Sequence, residues 1–596
     1  MENSNVFSGV SSVADRSPAF GIDLGTTNSC IAILRKGRLP EILPMRDGSK
    51  TLPSCVMFKG KDSKAIVGRQ AYEKRFNPNV CYSVKRLMGS GKKVNFSYHG
   101  EDWSMEPAEV SAEILKELVY QISDRYKDVK DVVITVPADF NIPQIADTIK
   151  AGELAGLNVL GVMREPTAAS LVFGLEDKFS GSVLVYDLGG GTFDVTLLTI
   201  NSSKTDTDLN DLYGFGTDED EKEADTTYVV KATRGDVKLG GDDFDLALRD
   251  IVLDKLKSQG IDITQIPNSY KETLLLRLEQ LKKNSVFKDY MMSINYTPKS
   301  RSRNKQITTE VKVTTEDFFE ATRVIFNKTK ALVDDLLASY PTKLEGIVTV
   351  GGSTKNPLIY ELLKSCYGVK IYNDINPDES VAMGAAIHAR NLKFKDSGVS
   401  VLDVISNGIG VYTDGKVKNI IPRDSMVPCS MSRVFSTVVD NQKEINVIVY
   451  SGNSSIPEEC SELGLLTLEN KEMGPAGTVG VVVQLSVDSN GLLKCFAKVG
   501  DSFKEVTLKN ILGKSESNRS LDLKEKQLKK WYAFANKMED SSEKDELESL
   551  IRAFEDGSDV SNQIISLIRS FRKRSLEVRD VPNAKLTDSI VYENIE

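Results

Sequence analysis

One short pattern occurs twice in the chain. Residues 23–34 read DLGTTNSCIAIL and residues 187–198 read DLGGGTFDVTLL, each after an apolar run. Both spell a strand, an aspartate at its end, a glycine-containing turn and a returning strand, which is an internal repeat on the scale of half a domain. Two such hairpins facing each other form a symmetric cleft with a carboxylate on each side. Glycine lets backbone N–H groups approach phosphate oxygens closely and form an anion nest, and the hydroxyls of Thr26, Thr27 and Thr192 add short donors. A carboxylate beside a phosphate nest repels the ligand unless a cation lies between them. With Mg2+ there, Asp23 and Asp187 become ligands or hold its water shell. The repeat therefore points to a nucleotide–magnesium site. The sequence has no G-x-x-x-x-G-K-[ST] loop and no G-x-G-x-x-G opening a helix after a strand, so other phosphate-binding frameworks fail.

From about residue 20 to 395, short apolar strands alternate with helical patterns, an α/β arrangement. The spacing predicts strands at 20–23, 31–34, 132–136, 183–187, 195–200 and 347–350, and helices at 107–127, 142–156, 243–258, 271–285 and 315–339. From about 405 to 510 short β-rich runs follow closely with turn signals between them. From about 520 to 580 the chain is charged and helical. An acidic stretch, 205–227, reads as a long solvated loop, and the basic run KSRSRNK, 299–305, as a hairpin tip.

A chain of 596 residues exceeds a single core. Its formal net charge of −9 argues against a nucleic-acid surface, and no apolar run has the length for membrane insertion. Seven cysteines, odd in number and without a C-x-x-C pair, suggest a reducing compartment. With only His99 and His388, a histidine-based triad or metal site has little to draw on. Residues 1–18 lack the apolar core of a secretory signal; a weak transit peptide and a plain tail both remain open.

GIDLGTTNS, VVITVPADFN, REPTAAS, YDLGGGTFDVT, KLGGDDFD, VTVGGS and NPDESVAMGAA occur in this order. Together they resemble the signatures of the 70-kDa heat-shock (DnaK-type) chaperones, closely over 19–395 and loosely over 400–510. The GTTNS form is more similar to bacterial and mitochondrial members than to cytosolic eukaryotic ones. The resemblance implies a multidomain chain: a duplicated actin-like α/β ATPase domain (19–395), a linker (396–404), a β-sandwich peptide-binding domain (405–512), a short α-helical lid (513–582) and a tail (583–596). It implies ATP/ADP and Mg2+ as cofactors. Asp23 and Asp187 would orient the magnesium water shell. Gly25, Thr26, Thr27, Asn28, Gly189, Gly190, Gly191 and Thr192 would cradle the phosphates, with Gly240 and Gly241 approaching from a second lobe. Lys85 would position the attacking water, and Glu165 and Asp194 would complete the carboxylate set. Glu279, Lys282, Lys283, Gly351, Gly352, Ser353, Lys355 and Asp378 would hold the adenosine, although Lys355 stands where the family usually has an arginine that stacks on adenine.

The implied partners are extended client polypeptides, a J-domain co-chaperone and a nucleotide-exchange factor, with neither nucleic acid nor membrane insertion. Client pockets would involve Val411, Phe435, Val438, Ile445 and Val447, which read equally as β-core residues. In this half the chain departs from the family pattern. The linker reads VSVLD where leucines are usual, ISNGIG replaces T-P-L-S-L-G, and Asp414 falls at an apolar arch position. Pro137 keeps its nucleotide-sensing place, but its relay arginine is Ile145 and the basic J-domain position is Gly161. The expected activity is an ATP-driven chaperone, with a weakly coupled, nucleotide-binding scaffold as the alternative. The expected compartment is a mitochondrion or mitochondrion-derived organelle, with the cytoplasm as the alternative.

Overall fold

The computed structural model describes residues 18–507 apart from positions 37, 128 and 178 and stretches 203–225, 286–287, 300–305, 374–375 and 395–398; it also describes 542–555 and 578–580. The expectations for the tails at 1–17 and 583–596, for nearly all of the acidic stretch and the basic run, and for most of the lid fall outside the described residues. The chain divides into two compact units, 1–406 and 407–596.

The first unit is built on two sheets with matching strand order. In the first, β1 (Ala19–Asp23) and β2 (Asn28–Leu34) form the first hairpin, with β3 (Asp131–Val136) parallel to β1 and β4 (Asn158–Arg164) parallel to β3. In the second, β5 (Gly181–Leu188) and β6 (Phe193–Ser202) form the second hairpin and β7 (Thr226–Asp236) pairs antiparallel to β6. β8 (Gly346–Val350) lies parallel to β5 and β9 (Lys370–Tyr372) parallel to β8. The orders β4-β3-β1-β2 and β9-β8-β5-β6 superimpose strand for strand, so the sequence repeat is a repeat of sheet topology. Near-continuous Val, Ile and Leu runs suit strands covered on both faces.

The helix Ser380–Phe394 crosses between the sheets, and its small residues set the approach. A Cβ on Gly384 would lie 1.9 Å from Ala168 O, and one on Gly21 2.1 Å from Ala386 N. Neither position admits a side chain, and the helix is thereby locked against β1 and the helix Glu165–Asp177.

Two boundaries differ from expectation. Val399–Val404, read as part of a linker, forms strand β10 parallel to β7, in register from Thr226↔Val399 to Val229↔Leu402. Its alternation puts Val399 and Val401 against the core while Leu402 is exposed. Thr226 and Thr227, the end of the acidic stretch, open β7 rather than closing a loop.

The second unit carries β11 (Ile409–Thr413), β12 (Lys416–Ile421), β13 (Cys429–Thr437), β14 (Glu444–Ser451), β15 (Ser461–Glu469), β16 (Gly480–Val487), β17 (Leu493–Val499), β18 (Ser502–Thr507) and β19 (Val578–Asp580). The order is β15-β14-β11-β19-β13-β16-β17-β18, with β12 on β11. Within the stretch expected to be helical lid, Ser542–Glu555 is a helix but Val578–Asp580 is a strand. Among the described residues no helix is long and apolar enough to cross a membrane.

Candidate functional site

Each hairpin delivers its carboxylate to the same cleft because the aspartate stands at the end of an outgoing strand, Asp23 as the last residue of β1 and Asp187 as the last but one of β5. Asp23 lies opposite Cys30 across the β1–β2 ladder and Asp187 opposite Asp194 across β5–β6. The two turns nearly touch. A Cβ on Gly190 would lie 1.9 Å from Thr27 Oγ1, and one on Gly240 would lie 2.5 Å from the Gly191 nitrogen. Glycine at 190 therefore reflects close approach of the Thr27 side chain, and glycine at 240 close approach of the Gly190–Gly191 backbone, with no positive φ at either position. Gly351 combines both reasons: its φ is +82° and a Cβ would lie 2.6 Å from Asp187 Oδ1. Backbone bonds tie the second turn to the neighbouring helix, with Gly241 N donating to Gly189 O at 3.0 Å and Asp242 N to Gly190 O at 2.8 Å.

Around these turns lies a cavity of about 690 Å³, ample for a small-molecule ligand. It is lined by Asp23, Gly25, Thr26, Thr27, Asn28, Glu165, Asp187, Gly189, Gly190, Thr192, Gly240 and Gly241. Its wall also includes Glu279, Lys282, Lys283, Gly351, Gly352, Ser353, Lys355 and Asp378. Apolar side chains of Phe244, Ile325, Ile359 and Val381 complete it, and none of these four was singled out by the sequence. Lys85, Asp194 and Gly191 stand just outside this wall. Lys85, buried in a short 3-10 turn, donates to Glu165 Oε1. Asp194 accepts from Asp139 N at 3.0 Å, and Gly191 packs against Arg86.

The electrostatics are unusual for a protein interior. Asp23, Glu165, Asp187 and Asp194 interact in one buried cluster with Lys85 as the cation among them. Burial first, then the Glu165 carboxylate, raises Asp23 to about 7 against the opposing Lys85 ammonium and the Thr135 hydroxyl, which donates at 2.9 Å. Burial followed by Glu165 likewise holds Asp187 and Asp194 well above the usual carboxylate range. A divalent cation suits such a donor set, because it supplies the charge the carboxylates lack. Among the described residues no three carboxylate, imidazole or thiol groups converge closely enough to ligate a metal directly.

The candidate base-binding side is ordered by ion pairs instead. Glu279 receives Arg75, the Tyr72 hydroxyl at 2.8 Å and Lys283 at 2.7 Å. Burial alone would raise its pKa, but these partners outweigh burial and hold it below the usual range. Lys282 bridges Asp245 at 2.7 Å and Gly241 O at 3.0 Å. Ser353 donates to Gly189 O at 2.8 Å and Lys355 pairs with Asp378.

Sequence reasoning missed Tyr72, Arg75, Thr135 and Arg164. Arg164 ends β4, and its Nε donates to Ala138 O at 3.2 Å while Nη1 meets Asp403 Oδ2 of β10 at 3.2 Å. It is the direct chain neighbour of Glu165, and the Ala138–Asp139 segment it holds is also held by Asp194. A cation therefore does grip this region, three residues along from Gly161. Ile145, at the expected relay position, is buried in the helix Ile142–Leu154. In the second unit Val411, Phe435, Ile445 and Val447 are fully buried and Val438 is half-buried. The first four are interior β residues, and Val438 directly follows β13.

Comparison with known proteins agrees with this geometry. The family described as Hsp70 protein matches residues 19–210 and 224–583. The Chaperone protein DnaK of Mycoplasmopsis synoviae (strain 53) is 33% identical over 542 residues, 89% of this chain and 84% of that protein. The Chaperone protein DnaK of Mycoplasmopsis agalactiae (strain NCTC 10123 / CIP 59.7 / PG2) is 32% identical over 581 residues, 96% of this chain and 90% of that protein. The chain belongs to the Hsp70 family, and it is an ATPase and an ATP-dependent chaperone with an ATPase unit followed by a β-sandwich substrate-binding unit.

Proposed function

We propose that this chain couples magnesium-dependent ATP hydrolysis in an actin-like cleft to the capture and release of extended apolar polypeptide segments. The observation that carries the reading is the pair of facing hairpins, each with its own carboxylate, closed by the Lys85–Glu165 ion pair. Backbone N–H groups of the two turns, with Thr26, Thr27 and Thr192, would bind the phosphates. Asp23 and Asp187 would hold Mg2+ through water, and the ion would neutralise charge on the β- and γ-phosphates. Lys85 would orient the attacking water and stabilise charge developing on the transferred phosphoryl group, while Glu165 fixes the ammonium. Phosphoryl transfer needs positioning and electrostatic stabilisation more than covalent chemistry, and this set of groups supplies both.

Client polypeptides, a J-domain co-chaperone and a nucleotide-exchange factor belong to the same reading, as does a helical lid. A mitochondrion or mitochondrion-derived organelle is the proposed compartment, resting on the GTTNS form; detection only in cytosolic fractions would overturn it. A second reading, a weakly coupled scaffold, is favoured by Ile145. Single-turnover ATP hydrolysis with and without an extended apolar peptide separates the two. Slow hydrolysis that the peptide accelerates and that Lys85→Ala abolishes is expected of the chaperone cycle. Nucleotide binding with no peptide response would transfer the assignment to the scaffold.

A further inference from the structure

The strand order of the second unit contains a three-residue element from far along the chain. β19 lies between β11 and β13, pairing parallel with β11 at Thr413↔Val578 and antiparallel with β13 from Phe435↔Asp580 to Thr437↔Val578. Among the described residues it is the only strand bonded to both of these neighbours. Without it the order would part into β15-β14-β11-β12 and β13-β16-β17-β18. What remains is a gap bordered by Phe435–Thr437 of β13 and by the Thr413 end of β11, whose same edge is taken by β14 from Ile409 to Val411.

The strands bordering the slot carry Val411 and Phe435, and Val438 directly follows Thr437. A place for one added extended strand, directional because one neighbour is parallel and the other antiparallel, matches the way sheet edges recognise peptides. We infer that residues 578–580 are an internal pseudo-client, occupying the backbone slot into which an extended client segment adds. This inference rests on the client-binding reading above and identifies the site and its competitor.

The physical chemistry makes β19 displaceable. It engages three residues of the nine-residue β13 and one residue of the five-residue β11. A three-residue strand is weak by itself and is held largely because it belongs to the same chain as the sheet it joins. A client of six or seven residues can pair along more of β13 and so replaces it. The intramolecular strand then sets a threshold: weak or short segments fail to displace it, and longer apolar ones succeed. A groove closed by its own strand nine-tenths of the time binds a client about tenfold more weakly than an open one.

The test uses the full chain with ADP and a fluorescein-labelled leucine-rich heptapeptide, read by anisotropy. Two variants remove the strand independently: deletion of 575–596, and Arg579→Pro in the otherwise intact chain, which takes an N–H out of a strand paired on both sides. Both are expected to bind the probe about tenfold more tightly, and a synthetic peptide of residues 574–583 is expected to displace it from the deletion variant. Should the deletion variant fail to fold, Arg579→Pro alone decides. Unchanged affinity in a folded variant, with no displacement by the synthetic peptide, would overturn the inference and leave client binding intact. Failure of every form to bind the probe would instead overturn the client-binding reading on which it rests.

Discussion

The carboxylate cluster implies that the nucleotide-free protein is destabilised by its own active site, and Asp23→Asn exposes this. Asp23 rises from the ordinary 3.8 to about 7 in the folded chain. A raised carboxylate pKa means that the folded state holds a proton the unfolded state has released. Stability attributable to Asp23 is therefore present below pH 3.8, declines as pH rises, and is lost above about 7. Three units at about 1.4 kcal/mol each give a penalty of about 4 kcal/mol at pH 8, of which about 2 kcal/mol accumulates between pH 5.5 and 7. Asparagine carries no such charge and keeps an oxygen for the Thr135 hydroxyl. Urea unfolding without nucleotide or magnesium, followed by Trp103 fluorescence in a Trp531→Phe background, measures the difference. The Asn variant is expected to be the more stable at both pH values, by about 2 kcal/mol more at pH 8 than at pH 5.5. With Mg-ADP the order is expected to reverse, because only the parent gains the full binding energy. An advantage that does not grow with pH would refute the reasoning.

Further outcomes follow from the same geometry. Lys85→Ala leaves Glu165 buried without its cation, and ATP turnover is expected to fall at least ~10²-fold while nucleotide binding persists, read by single-turnover hydrolysis and calorimetry. Gly190→Ala sets a methyl against Thr27 Oγ1 and is expected to abolish nucleotide affinity by parting the two turns; calorimetry at unchanged thermal stability checks it. Arg164→Ala leaves Asp403 part-buried and unpaired, and faster hydrogen exchange in β10, corresponding to about 1–3 kcal/mol of local stability, is expected. Combining it with Asp403→Asn should then add little further effect.

The sequence made the cleft legible because its information is local. Asp23 and Asp187 sit within a few residues of the glycines that turn their hairpins, so the periodicity and the turns could be read together. The helix 315–339 was likewise explicit, with Thr314 capping it and apolar residues at helical spacing. What escaped was long-range. Arg75 meets Glu279 across 204 positions and Arg164 meets Asp403 across 239, and no local pattern signals either pair. β10 escaped because the family resemblance assigned VSVLD to a linker, and its partner β7 lies far upstream in the chain. β19 escaped because three residues inside a charged stretch carry no period at all, and only the slot between β11 and β13 makes them a strand.

The pairing of β10 with β7 also bears on solubility. β7 is long, and its first four residues are matched to Val399 through Leu402. Whenever β10 leaves, that stretch of β7 becomes a bare sheet margin with unpaired amides and carbonyls, a surface that recruits foreign strands. A protein that handles sticky polypeptides would then present a sticky margin of its own. The Arg164–Asp403 clamp thus doubles as a guard against self-association, and variants that loosen it should aggregate before they unfold.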